Sequence, residues 1–363
     1  MRVFRAPGRV NVIGDHTDYQ GGLVLPMAIH LETRVVVDRE GGDRVRLSSH
    51  AFGGVVDVAA DGSDGPAGPL TAAPLGAAGG PKQDWTRYAA AVVWALAEAG
   101  RPPIGLEASV ESTVPPAAGL SSSAALEVAL AVALCAVADF SLPSMDLALA
   151  CQRAEVEGAG VPCGIMDQAA AVLGSPGGCL FLDCRSLAYE QIALPTSHVV
   201  LAVDSGVPRD LATSGYHDRR RETAEAASTI GVPTLREARL EQLDALPDVL
   251  RRRARHVVTE NARVREFVRA LRNGHVDVAG RLLSHSHRSL RDDFESSHRA
   301  VDALVDRVTG IHGVAGARIT GGGFGGRVVA LVEADRVDSI AAELAPTESF
   351  VAAPAAGAGG LGA

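Results

Sequence analysis

The sequence predicts an α+β protein folded as two lobes, and three observations carry that prediction. At 363 residues with 47% hydrophobic content the chain exceeds a usual single domain and can bury a large core. Short apolar or alternating stretches broken by Gly and Asp alternate with apolar residues at helical spacing. Near residue 190 the character changes from Ala- and Gly-rich segments to Arg- and Glu-rich helices, which sets lobes at 1–190 and 191–345 and leaves a low-complexity tail at 346–363.

Along the first lobe, Val10–Ile13, Leu23–Ile29 and Thr33–Asp38 read as strands, with Asp15–Gly22 as the polar loop between the first two. Residues 52–83, rich in Gly, Ala, Pro and Asp, read as a surface excursion with one hairpin. Helices are predicted over Trp85–Ala99, Ser122–Val137 and Ser144–Glu157, with a strand at Gly105–Thr113 and a Gly-containing turn at 160–164 leading into an apolar segment to Leu173. Strands follow at Gly178–Leu182 and Val199–Val203. The second lobe offers helices at 218–229, 235–245, 250–273, 276–283 and 297–309 and strands at Ala315–Thr320 and Val328–Val332. The tail, ending AAPAAGAGGLGA, is expected to fray.

Composition removes several functional classes. A net charge of −9 argues against a broad hold on nucleic acid, so an anionic ligand needs a local device. Lys82 is the only lysine, and it sits in PKQDW, so neither a P-loop nor the strand lysine of protein kinases is present. Five cysteines without a C-x-x-C pair suit neither a disulfide framework nor a zinc knuckle and point to a reducing cytoplasm. The longest apolar run, around Val128–Ala138, is too short to span a bilayer, and MRVFRAPGR has no signal-peptide character.

Four stretches carry chemistry. In PPAAGLSSSAALEVAL, residues 117–123 (Ala117, Ala118, Gly119, Leu120, Ser121, Ser122, Ser123) open directly into an apolar helix. Unpaired first-turn N–H groups and small side chains there can cradle phosphate without a lysine, although a Ser-capped helix would read the same. In APGRVNVIGDHTDYQGG, Arg9, Asp15, His16, Asp18 and Tyr19 cluster in a manner suited to a polyhydroxylated ligand, to a metal through the His/Asp pair, or simply to a polar turn. In VPCGIMDQAAAV, Asp167 follows the turn containing Gly164 and lies twelve positions after Glu155; it can cap the helix or face a cleft. In ARITGGGFGGRVVALV the string formally fits G-x-G-x-x-G, but a strand follows where a dinucleotide fold needs a helix. The pair His285 and His287 has no evident third ligand and reads as a solvated helix face or a structural pair.

Taken together, these stretches resemble the galactokinase branch of the GHMP kinases in order, spacing and wording, from Ala6 to about Val332; DWTRY (84–88), LATSGYHDRRRE (211–222) and SLRDDFE (289–295) add to the likeness. The resemblance implies an N-terminal ribosomal-protein-S5-like α/β lobe, a C-terminal ferredoxin-like lobe and a site in the cleft between them. It implies a sugar 1-kinase that makes galactose 1-phosphate from galactose and MgATP, with Asp167 and Arg9 as the catalytic pair. By motif, Asp15, His16, Thr17, Asp18, Gly164 and Tyr216 would contact the sugar, residues 117–123 the ATP phosphates and Trp85 the adenine end, while Ser123 and Glu155 would hold Mg²⁺. Implied partners are a small sugar and MgATP, with neither nucleic acid nor membrane, in a monomer or weak dimer.

The chain departs from the family pattern at Asp15, where the signature has Glu; losing one methylene withdraws the carboxylate by roughly 1–1.5 Å. Arg327 after TGGGFGG stands where a smaller residue is expected. Two other readings therefore stay open: an anomeric kinase for an amino sugar, arabinose or a uronic acid, and a non-catalytic sugar and ATP sensor, against which the intact phosphate loop, Asp167 and Glu155 argue.

Overall fold

The computed structural model describes residues 1–50, 52–65, 85–116, 118–208 and 215–361. Its first part comprises β1 (Arg2–Ile13), β2 (Leu23–Glu40), β3 (Arg44–Ser48), β4 (Val55–Ala59), α1 (Trp85–Glu98), β5 (Leu106–Ser112), α2 (Ser122–Val137), α3 (Ser144–Arg153), α4 (Met166–Leu173), β6 (Gly178–Asp183) and β7 (Tyr189–Ala193). There follow β8 (His198–Asp204), α5 (Tyr216–Thr229), α6 (Asp248–Arg272), α7 (Val276–Asp292), α8 (Arg299–Thr309), β9 (Val314–Ile319), β10 (Arg327–Glu333), α9 (Val337–Leu344), β11 (Ser349–Val351) and β12 (Gly359–Leu361). The strands form an eight-stranded sheet, ordered β12-β1-β2-β5-β3-β4 with β6 and β7 joined at β2, and a four-stranded antiparallel sheet ordered β11-β8-β10-β9. This is the two-lobed α+β architecture expected.

Four cores hold it together, the smallest of them gathering Val24, Ala148, Ile165, Met166 and Leu182 under α3 and α4. Phe4, Val35, Val37, Leu96 and Leu130 belong to the core between the first sheet and α1–α2. Val10, Ile13, Met27, Val200, Phe267 and Leu331 belong to a second, which joins β1 and β2 to β8, β10 and α6 and so fixes one lobe on the other. The third lies within the second sheet and its helices. Helix α2 is apolar on every side and accordingly buried on every side. Glu127, its one charged residue, is fully buried as well.

The register of β1 against β2 slips between Pro7 and Arg9 and again between Asn11 and Ile13. Such bulges bend a strand and re-aim its side chains. Here the first turns Arg9 toward α2 and lays β1 against the backbone of the turn that opens α2, with Arg9 N donating to Leu120 O at 3.0 Å. A Cβ on Gly8 would sit 2.7 Å from that same carbonyl, so glycine permits the approach.

Several expectations are corrected. The three short N-terminal strands are parts of two long ones. The helix read to Glu157 ends at Arg153 and passes into a single π-helical turn, Ala154–Gly158, of the kind that often marks functional positions. The helix read over 235–245 is only a 3₁₀ turn at Leu240–Ala245, confined by Pro233 and Pro247. The helix read to 283 runs on to Asp292 because Ser286, His287 and Leu290 continue the buried stripe. As far as Leu361 the tail is paired rather than frayed: β11 pairs with β8 and β12 with β1, and Ala355, Gly357 and Ala358 donate backbone hydrogen bonds to Ala28, Gly174 and Ala171. Ala and Gly carry no periodic signal, but their small size lets backbone reach backbone, and the sheet edges supply the partners.

Candidate functional site

The cleft is built around Arg9 and Asp167. Arg9 Nε donates to Asp167 Oδ1 at 2.8 Å and its Nη2 to Oδ2 at 2.7 Å, a two-point pair, while Nη1 reaches Gly119 O at 2.6 Å. Ser121 Oγ donates to Asp167 Oδ2 at 2.5 Å. Ser121 adopts a left-handed backbone (φ 58°) at the start of α2, an uncommon state for a non-glycine residue. The carboxylate of Asp167 is thus clamped at the N-terminus of α2, whose first-turn N–H groups and dipole favour anions.

The loop from Gly14 to Leu23 forms the opposite wall and is held from beneath by α6, a helix beyond the second sheet's first strand. Glu260 Oε1 accepts from Gly14 N at 3.1 Å, Asn261 Oδ1 from Leu23 N at 2.7 Å, and His256 Nε2 lies 3.1 Å from Asp15 O. Burial opposes ionisation of Glu260, but Arg263, His256, Arg318 and Ser286 outweigh it and bring its pKa down to about 2. Gln20 Oε1 accepts from Leu235 N at 3.0 Å.

Asp15 is nearly inaccessible, its carboxylate accepting from Asn11 Nδ2 at 2.7 Å and from the wholly buried Arg318 guanidinium. Burial raises its pKa against the pull of Arg318 and Asn11. The His16 ring stacks obliquely on Phe294 and Tyr216, with ring centres 4.5 and 5.6 Å away, and Tyr19 OH lies 3.0 Å from its Nδ1. Gly164 lies so close to Asp18 that a Cβ there would be 2.1 Å from Asp18 Oδ2.

Carboxylates crowd the site. Burial, then the charge of Asp167, raises Asp18 to about 6 and Glu155 to about 7. Behind them, burial and Glu155 push Glu127 well above the carboxylate range. Gln168 Nε2 donates to both Glu155 (2.6 Å) and Glu127 (3.0 Å). Ser123 hydrogen-bonds Glu155, so a hydroxyl and a carboxylate oxygen stand together. That hard-oxygen pair in an excess of negative charge fits Mg²⁺, which keeps most of its ligands as water and phosphate. Among the described residues, no three His, Cys, Asp or Glu gather as an all-protein cage would require.

Arg9, Asp15, His16, Asp18, Gly119, Ser121, Ser122, Ser123, Glu155, Gly164, Asp167 and Tyr216 therefore share one cleft, completed by Tyr88, His217, Gly321 and Gly322. Thr17 does not line it; its buried hydroxyl lies 2.9 Å from Gly14 O and 2.8 Å from Leu23 O, fastening the loop to itself. Trp85 does not line it either, because its buried indole donates to Gly53 O at 2.6 Å. Ala118 and Leu120 shape the loop from behind, and Ala117 is outside the described residues. His287 is buried, 3.2 Å from Asp302, and His285 is exposed on the same helix, in keeping with the structural reading.

Sequence reasoning missed Arg318, Gln168, Glu127 and Glu260. Glu127 did give a signal, as the lone charge in an apolar helix. Nothing local to Arg318 or Glu260 identifies the loop they meet, more than two hundred residues away in sequence.

Comparison with known proteins follows the same lines. Residues 2–39 match the galactokinase galactose-binding signature, 87–175 the GHMP kinases N-terminal domain and 267–347 the GHMP kinases C-terminal domain. The chain is 38% identical over 341 residues to a galactokinase of Thermotoga petrophila, covering 94% of this chain and 92% of that one. It is 40% identical over 374 residues to one of Streptomyces coelicolor, covering 98% and 93%. A Lactococcus lactis galactokinase solved in complex with galactose superposes with a TM-score of 0.89 at 32% identity, covering 99% of this chain and 95% of that one. A Methanococcus jannaschii mevalonate kinase shares the fold, with a TM-score of 0.68 at 17% identity.

Proposed function

Because this chain belongs to the galactokinase family of GHMP kinases and is a sugar kinase that takes ATP as co-substrate, we propose that it moves the γ-phosphoryl group of ATP to the C1 hydroxyl of D-galactose, giving α-D-galactose 1-phosphate and ADP. The observation that carries this reading is the two-point Arg9–Asp167 pair, set at the phosphate-binding end of α2 and facing Asp18, His16 and Tyr216.

In this mechanism the backbone of residues 119–123 binds the phosphates at the head of α2. The loop carrying Asp15, His16 and Asp18, with the backbone at Gly164, orients the sugar so that C1–OH points at Asp167. Asp167 accepts the hydroxyl proton as the oxygen attacks, and Arg9 and Ser121 hold that carboxylate at a fixed angle. Arg9 also offsets charge on the moving group, so that the chain contributes mainly positioning and charge stabilisation. Ser123 and Glu155 would hold Mg²⁺, which would supply positive charge to offset that developing on the phosphates. A neutral Glu155 would ligate poorly, so metal binding and its proton loss are linked.

The test is ATP-dependent turnover of a panel of free sugars, with the product identified by phosphorus and carbon NMR. Galactose should give the 1-phosphate, and Asp167→Asn should lose turnover by about 10³-fold while still binding the sugar; near-normal turnover removes the base role. A second reading, an anomeric kinase for another sugar, rests on Asp15, whose shortened carboxylate is engaged by Arg318 and Asn11. Failure with galactose and turnover of an amino sugar, arabinose or a uronic acid would select it.

A further inference from the structure

A second cleft, of about 460 Å³, lies outside the catalytic one, between the β6–β7 edge and the C-terminal half of α6. Arg265, Arg269 and Arg272 reach it from one face of α6, and Arg236 from the segment before the 3₁₀ turn. Two of the four are matched: Arg236 to Asp183 at 2.8 Å and Arg272 to Glu190. Among the described residues Arg265 and Arg269 have neither a hydrogen-bond nor an ion-pair partner, which leaves two positive charges over in a chain of net charge −9.

These guanidiniums repel one another. Burial, with Arg265 and Arg185 close by, lowers Arg236 from its usual value despite Asp183. Arg265, Arg269 and Arg272 are exposed, so water screens their repulsion and its cost is modest; an anion between Arg265 and Arg269 would still turn that repulsion into attraction. The surplus of two matches a phosphate monoester dianion, and planar guanidinium forks suit phosphate oxygens. Beside Asp183, Glu190 and Ser186, the cleft also presents Phe181, Val268 and a half-exposed Tyr189 ring, which offer a surface for the organic part of a ligand.

We propose that this cleft binds a small organic phosphate monoester, held by Arg265 and Arg269. Its walls are fastened to the sugar-contacting loop. Asn261 on α6 accepts from Leu23 N, Leu235 beside Arg236 donates to Gln20, and β6 pairs with β2 at Leu23 and Asp183. Occupancy of the cleft therefore acts on the sugar end of the catalytic site.

The test uses the full chain saturated with a non-hydrolysable ATP analogue, so that the phosphate loop is filled. It is titrated calorimetrically with galactose 1-phosphate, AMP and inorganic phosphate in separate arms. One of the two monoesters should bind more tightly than inorganic phosphate, and which one does so identifies a sugar phosphate or a nucleotide as the source. R265A/R269A should weaken that binding by about tenfold or more. R288A/R299A, which removes two exposed arginines elsewhere, should leave it unchanged. Identical isotherms for wild type and R265A/R269A, or equal weakening in both double variants, overturn the site; equal affinity for inorganic phosphate overturns the monoester assignment. With the ligand saturating, the sugar KM of the wild type should move by about fivefold or more and that of R265A/R269A should not; an unmoved wild-type KM overturns the linkage. The binding arm compares variants and needs no sugar, so its outcome is separate from the galactose reading.

Discussion

Asp18→Asn is expected to stabilise the free protein while destroying its use of sugar. Asp18 is largely enclosed, and burial together with Asp167 and Asp15 holds its pKa at about 6, against an ordinary value of 3.8. Below pH 3.8 the folded and unfolded states both carry the proton and the site costs nothing. Between 3.8 and about 6 the folded state binds more protons, so stability falls as pH rises; above 6 the penalty is constant. Linkage then sets the cost of the ionised group at up to about 1.5 kcal/mol at pH 5 and about 3 kcal/mol at pH 8, upper values because the side chain keeps some contact with water. Asparagine fills the same volume without the charge. Urea unfolding of both proteins at pH 5 and pH 8 should show the variant more stable at both and by a larger margin at pH 8, while the sugar KM rises steeply. A variant no more stable than wild type, or a margin that does not grow with pH, would refute the account of Asp18 as a residue retained for binding against its own electrostatic cost.

Other perturbations follow from the same geometry. Arg318→Leu strips the buried Asp15 of its cation and should destabilise by about 3–5 kcal/mol, with D15N/R318L recovering part of that loss in a double-mutant cycle by denaturant unfolding. Gly164→Ala places a methyl against Asp18 Oδ2 and should raise the sugar KM by about tenfold while leaving the ATP KM in place, as read by steady-state kinetics. Deleting residues 354–361 removes β12 and the bonds from Ala355, Gly357 and Ala358, and should cost about 2 kcal/mol or more in urea unfolding.

The motifs made much of the site legible because each one is a local device. A Gly-Ser run opening a helix states its phosphate chemistry in consecutive residues, and the apolar repeat of α2 or the alternation in β2 states its own burial. The reading faltered where partners come from elsewhere in the chain. The motif placed Trp85 in the chain but not its neighbours, Gly53 O and the Phe52 ring, contributed by a different turn. Thr17 looked like a sugar contact, but the loop's own carbonyls surround its hydroxyl. The tail looked unstructured because Ala and Gly have no side-chain pattern, and backbone pairing needs none.

By itself the sequence determined the alternation of strands and helices, the Gly-Ser turn that opens α2, the identity of the acids and bases available, and the family whose chemistry they resemble. Only the tertiary structure decided which charges meet. It clamped Asp167 between Arg9 and Ser121, buried Asp15 against an arginine more than three hundred residues away, hung the Gly14–Leu23 loop from α6, and left two arginines of that same helix without partners among the described residues, beside a second cleft. The physical reason is that hydrophobic periodicity and turn chemistry act over a few residues. Coulomb and hydrogen-bond energies depend instead on distance in space and on burial, and both are fixed only when the lobes pack.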